Sequence, residues 1–226
     1  VPSFKARFLN LFYQRYPRPF RDYLIGSLES LAYLGSYTPW LWNLCIENKL
    51  VKTINQQVIG LVDPPRLSTR SALKTIRKMG GKIATPTVLA TLSKEDRQRS
   101  VILIPDAFTS FFDAESMVHT YELLKALKIN VLIAPFYPNG KGLHIKGRLS
   151  AFKRNAENNV KHLKALKSFE IPMVCIDPAV ALTYRDEYVE AMGVEGQLPI
   201  LMIQEWFSTQ LHQLPKYDLS SNQKSV

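Results

Sequence analysis

Cysteine is scarce in this chain: its 226 residues include two, Cys45 and Cys175. Two thiols so far apart cannot supply a zinc or iron–sulfur site by themselves, nor do they form a disulfide framework. Both are expected to be reduced core thiols, Cys175 inside the apolar run PMVCI and Cys45 on a helix rich in tryptophan. Histidine is nearly as rare, with four. His119 and His162 fall on helices and His212 near the end, as packed or solvated side chains. No apolar run reaches the ~18 residues that span a bilayer. Lys5 and Arg7 are not followed by an unbroken apolar region, so the opening does not read as a signal peptide. An initiating methionine is missing too: the chain opens on Val1 and is expected to be part of something longer. The G-x-S-x-G elbow and H-E-x-x-H zinc helix are absent. So are the G-x-G-x-x-G and G-x-x-x-x-G-K-[ST] phosphate motifs.

What is present is a globular composition, 46% apolar and 21% charged. The net charge of +10 is uneven. Residues 1–60 hold 7 basic and 3 acidic residues, residues 61–100 hold 9 and 3, and residues 101–226 hold 13 and 13. The whole excess therefore lies in the first hundred residues. A basic arm on a neutral body suits an acidic partner, an anionic membrane surface or nucleic acid. Lys74, Arg77, Lys78 and Lys82 cluster in it. No aromatic stacking platform or nucleic-acid motif accompanies them, which argues against nucleic acid.

Residues 1–60 read as a helical arm punctuated by proline. Phe4, Phe8, Leu11 and Phe12 recur at helical spacing before Pro17 and Pro19 break the run. A second helix is expected from about Phe20 to Tyr33. A third starts near Pro39 and continues through Ile54. Their many large aromatics are expected to pack on a neighbouring domain. Residues 61–99 read as an irregular basic linker, with at most one short helix near Ser71–Lys78. Residues 100–214 show β–α alternation. Strands are expected at Val101–Pro105, Asn130–Pro135, Pro172–Ile176 and Gln197–Ile203. Helices are expected after Asp113, over Arg148–Phe169, after Asp177-Pro178, and from Gln204 to about Leu211. Residues 215–226 read as a flexible tail. The fold class is α/β: a mostly parallel sheet with covering helices, preceded by the helical arm.

Three polar loops leave the strand ends, the edge where such sheets bind ligands. They are DAFTSFFD (Asp106–Asp113), YPNGKGLHIKG (Tyr137–Gly147) and DPAVALTYRDEY (Asp177–Tyr188). The turn Asn139-Gly140-Lys141-Gly142 before a helix offers backbone amides to an anion, although structural placement of Lys146 against a neighbour is the simpler reading. Asp177 occupies its own helix N-terminus. Arg185 is expected to pair with Asp106 or Glu187. Thr109 and Ser110 have no adjacent histidine to activate them, so no catalytic group stands out.

The segments PDAFTSFFD, PFYPNGKGLHIKG and IPMVCIDPAVALTYRDEY, with the opening VPSFKARFL, carry a resemblance. They are similar to the cysteine-rich domain of heterodisulfide reductase and glycerol-3-phosphate dehydrogenase iron–sulfur subunits. They resemble more closely the C-terminal region of large bacterial FAD-linked oxidases of the YdiJ type, D-2-hydroxy acid dehydrogenases acting on D-2-hydroxyglutarate or D-lactate. The resemblance implies a parent carrying FAD and [4Fe–4S] clusters. Where cysteines would bind a cluster, this chain has Ala107, Pro138, Asn139 and Val180. None offers a thiolate. The resemblance therefore implies a relative that keeps the fold, binds no cluster and is itself inactive. Asn139, His144, Lys146 and Arg185 are its expected interface or substrate-entrance residues. The implied partners are the FAD and ferredoxin-like domains of the same parent, in the cytoplasm. A homo-oligomer and peripheral contact with the inner membrane face stay open. The alternative is a docking or scaffold module whose basic arm binds an acidic partner or an anionic membrane surface.

Overall fold

The structure, a computed structural model, describes residues 2–210. His212, the expected helix end at Leu211 and the tail after Pro215 lie outside the described residues.

The described residues of the arm form five α-helices, α1 (Pro2–Arg15), α2 (Phe20–Gly26), α3 (Leu28–Gly35), α4 (Pro39–Glu47) and α5 (Lys49–Ile54), the last running on into a π-helical turn, Asn55–Ile59. Two expected helices are each split in two. The first breaks at Ser27, which leaves helical geometry at φ −102 and ψ 6. The second breaks at Asn48, whose side chain accepts from Leu50 N at 2.9 Å and Val51 N at 3.4 Å. A short amide side chain competes for backbone donors and so starts a new helix there.

Residues 61–99 are more ordered than the sequence reading expected. They contain three short helices, α6 (Ala72–Lys78), α7 (Pro86–Ala90) and α8 (Lys94–Gln98), and a strand, β1 (Lys82–Ile83). Ser71, Thr85 and Ser93 cap the three helices through their hydroxyls. Strand β1 pairs with the third strand of the sheet through Lys82↔Leu132 and Ile83↔Ile133. The stretch taken for a linker thus supplies an edge of the sheet.

The rest alternates as expected, except that the second loop contains a short helix, α10: β2 (Ser100–Ile104), α9 (Ala114–Ala126), β3 (Asn130–Ile133), α10 (Lys141–Ile145), α11 (Leu149–Lys167), β4 (Met173–Cys175), α12 (Pro178–Leu182), α13 (Tyr188–Met192), β5 (Ile200–Met202) and α14 (Ile203–Gln210). All five strands are parallel, in the order β1-β3-β2-β4-β5. Every residue of β2 is buried, as a central strand covered on both faces requires. Alternate side chains serve two cores. Ile102, Ile104, Leu132, Met173 and Cys175 pack with Phe152, Ala156, Val160 and Leu163 of α11. Val101, Leu103, Val131, Ile133 and Val174 pack with α6, α9 and α14 through Ile76, Met117, Tyr121, Leu124 and Trp206. Lys153, Lys161, Lys164 and Lys167 of α11 face outward.

The arm is different. Phe4, Phe8, Leu11, Tyr16 and Phe20 are more than half exposed, as are Trp40, Leu44, Leu50 and Val58. Cys45 is exposed on α4, not the core thiol it was expected to be, whereas Cys175 is buried.

Candidate functional site

Adjacent strands β2 and β4 send their chains in opposite directions, to β3 on one side and β5 on the other. In open α/β sheets, that divergence creates the crevice where ligands bind. Here protein side chains fill it. Asp106 is buried, and its carboxylate accepts from Phe108 N at 2.7 Å, Thr109 N at 3.0 Å and the Thr109 hydroxyl. Burial raises its pKa; the Thr109 and Phe108 hydrogen bonds oppose this, and the charge of Asp177 adds to it. Cys175 is pushed up to about 12, chiefly by burial and then by the charges of Asp106 and Asp177. Tyr184 is fully buried beside Glu29, Cys175 and Asp106, and its hydroxyl pKa is raised by burial and those charges.

The second loop holds the least obvious feature. Glu29, on the inner face of α3, reaches the glycine turn 111 residues away and accepts from Gly140 N at 3.1 Å. The backbone amides of Gly140, Asn139, Gly142 and Lys141 all lower the pKa of Glu29, yet burial outweighs them and raises it overall. Gly140 takes φ +82, where a side chain is strained. The turn's amides, offered to an anion in the sequence reading, face the carboxyl group of the protein's own Glu29. No local signal connects Glu29 to this turn. The one clue is an acid sharing a helix face with Ala32 in an otherwise apolar segment.

The interface candidates are placed as follows. Asn139 is buried. Its side chain accepts from Lys141 N at 2.8 Å, and its carbonyl accepts from the Tyr188 hydroxyl at 2.8 Å. His144 is buried against Phe152, with Nδ1 3.7 Å from Glu187, which also pairs with Lys141. Desolvation lowers the pKa of His144, with Glu187 opposing. Lys146 Nζ lies 2.9 Å from Asp22 of α2. Arg185 pairs with Glu205 at 2.7 Å, not with Asp106 or Glu187 as expected. Glu205 also accepts from Met202 N at 2.9 Å, so it anchors the end of β5 and draws Arg185 there.

Together these contacts clamp the arm to the sheet edge. Arg18 donates to the carbonyls of Lys146 and Gly147, and Arg7 pairs with Glu190 at 2.6 Å. Gly147, at φ +64, lets the loop touch α1: an added Cβ would lie 2.7 Å from Ala6 O and Asn10 N. Gly142 meets α2 in the same way, 2.6 Å from Ile25 O. Asp22 and Glu29 carry this clamp from the arm, and sequence reasoning singled out neither; Lys141 was named only within the turn, and Glu187 only as a partner for Arg185. Each is an ordinary charged residue whose partner is distant in sequence.

The four positions where the resemblance would put cluster ligands also lie near the strand ends. Ala107 and Val180 are buried apolar side chains, Asn139 is tied to its own turn, and Pro138 gives its carbonyl to Asn159 at 2.8 Å. Among the described residues no group of three or more His, Cys, Asp or Glu is placed to hold a metal ion. Cys175 has its pKa shifted away from the thiolate form that binds iron. This donor set does not fit an iron–sulfur cluster.

The sequence is similar to those of known proteins. A D-2-hydroxyglutarate dehydrogenase of Pseudomonas putida is 40% identical over 91% of this chain. The Escherichia coli and Haemophilus influenzae proteins of the same name are 38% identical over 95% and 31% identical over 100%. The chain is homologous to a segment of the D-2-hydroxyglutarate dehydrogenases. It spans about a fifth of the length of these curated relatives, 20% to 22%. No family model matches the chain, and no solved structure matches it. Among the described residues no helix is long and apolar enough to cross a membrane.

Proposed function

We propose that this chain is a non-catalytic module of an FAD- and [4Fe–4S]-dependent D-2-hydroxy acid dehydrogenase. It completes the fold of the parent and forms an interface within it, and itself binds no cluster. The relatives' name supports an oxidoreductase parent. The observation that carries the interface role is the arm: its helices are clamped at one side by Asp22, Glu29 and Gly147, while Phe4, Phe8, Leu11 and Trp40 face outward. A row of large apolar side chains in water is costly, at about 1.5–3 kcal/mol for each left unburied. The FAD and ferredoxin-like domains of the same cytoplasmic parent are the surfaces that would cover it. Asn139 and His144 then act from inside, holding the loop that holds the arm, with Lys146 and Arg185 nearer the surface.

The test is a split protein. The remaining four-fifths of the parent, expressed separately, should bind the 226-residue chain and recover dehydrogenase activity on mixing. Phe8→Asp with Leu11→Asp should abolish both while leaving the circular dichroism of the chain unchanged. Full association by the double variant would refute the interface. Stoichiometric iron in the purified chain would refute the absence of a cluster. The second reading, docking to an anionic membrane or acidic partner, rests on exposed Lys74, Arg77 and Lys78 of α6. Sedimentation with anionic vesicles that salt abolishes would favour it.

A further inference from the structure

The basic cluster of α6 is not absorbed by the clamp, and it borders a cavity on the opposite side of the sheet edge. That cavity encloses about 320 Å³ at the carboxyl ends of β2 and β3. Its floor is apolar, made by Pro105, Met117, Ile133 and Ala134. Its walls are flat rings. Tyr33 of α3 stacks on Phe136 at 5.5 Å with an 18° interplanar angle, and Phe111 meets Phe136 edge-on at 4.7 Å. The Tyr37 hydroxyl donates to that of Tyr33 at 2.9 Å, which fixes the outer wall. At the rim stand Lys74 and Arg77, one helical turn apart, and no acidic side chain lines the cavity. Neither cation has a salt-bridge partner among the described residues.

We propose that the cavity lined by Tyr33, Phe111 and Phe136 is a binding site for a small planar organic carboxylate, whose charged end is taken by Lys74 and Arg77. The volume falls in the range of small-molecule sites, which pair apolar walls with a few convergent polar groups. The arrangement selects by two separate features. Parallel and edge-on rings accept a flat apolar body through offset stacking. The paired cations accept a carboxylate, with Arg77 able to hold both oxygens at once. A neutral planar molecule satisfies only the first. An aliphatic dicarboxylate satisfies only the second and leaves a charge against Met117 and Ala134. The site is separate from the proposed interface, since it uses none of the outward residues of α1.

Naphthalene-2-carboxylate and naphthalene-2-carboxamide, titrated into the unaltered 226-residue chain, test this by two-dimensional amide NMR. The carboxylate should shift resonances around Ser110, Ala134 and Lys74, and the amide should bind at least tenfold more weakly. Lys74→Ala with Arg77→Ala should weaken the carboxylate at least tenfold and leave the amide unaffected. Both side chains are exposed, so the melting temperature should hold. Lys74→Arg with Arg77→Lys should restore binding. Equal affinity for the two probes, shifts confined to α1 and α4, or no binding at millimolar probe would each overturn the proposal.

Discussion

Replacing Glu29 with alanine tests whether an internal carboxylate holds the glycine turn. The substitution leaves the Gly140 amide without its acceptor in a buried setting. An unpaired buried donor costs about 1–3 kcal/mol, and the lost side-chain volume adds about 1 kcal/mol. Relief of the desolvation borne by the carboxylate offsets part of this, which leaves a net loss of about 2–3 kcal/mol. For a chain of this size that lowers the melting temperature by roughly 4–12 °C. Glu29→Gln keeps an acceptor oxygen and should cost about 1 kcal/mol. The pH dependence gives a sharper signature. The folded pKa of Glu29 lies above its ordinary 4.5. Glu29 therefore contributes stability that is full below pH 4.5 and declines as pH rises through the folded value. The glutamine variant lacks this slope, so its deficit should be largest near pH 4 and shrink toward pH 7. Urea denaturation followed by circular dichroism at both pH values measures it. An alanine variant as stable as the parent, or a glutamine deficit that grows with pH, would refute the reasoning.

Three further outcomes follow from the clamp and the thiols. Asp22→Asn removes the negative charge shared by Lys146 and Arg18 and should cost about 2–3 kcal/mol in urea denaturation; a loss below about 0.5 kcal/mol would mean the charge adds nothing. Gly147→Ala should lift α1 from the loop, seen as about tenfold faster tryptic cleavage at Arg7 and Arg15, and an unchanged cleavage pattern would contradict the contact with Ala6 and Asn10. An aromatic disulfide reagent near neutral pH should titrate one thiol per chain, at exposed Cys45, because Cys175 is buried and pushed up to about 12; a Cys45→Ser variant that still reacts quickly would show the strand to be open.

The sheet was legible where burial imposes a local pattern. VILI, NVLI and PMVC are runs that only a strand covered on both faces places inside, and the 3.6-residue stripe of α11 shows in Phe152, Ala156, Val160 and Leu163. Strand β1 was not legible. Lys82 and Ile83 make two residues of strand, too few for any periodicity, and only the presence of β3 beside them makes them extended. Charged partners were equally hidden. Arg185 had acids available at Asp106 and Glu187, but Asp106 spends its oxygens on Phe108 and Thr109, and Glu187 is taken by Lys141. Such choices are settled by geometry that forms only after the chain has folded. The glycine turn is the instructive case: its amides are met by Glu29 of a distant helix, and Lys146 beside it is held by Asp22, partners that no local pattern connects to the turn.

The span between Glu29 and Gly140 also sets a clock. Ribosomes add about 5–20 residues per second, so a nascent α3 emerges roughly 5–20 s before the turn it must grip. During that interval the arm has no sheet to rest on, and Phe8, Leu11, Tyr23 and Trp40 are all available to the wrong neighbour. Closing so long a loop also comes late in refolding, after the local β–α units have formed. Birth order thus separates this apolar-rich arm from its anchor by more than a hundred residues, so the clamp can form only after the glycine turn has left the ribosome.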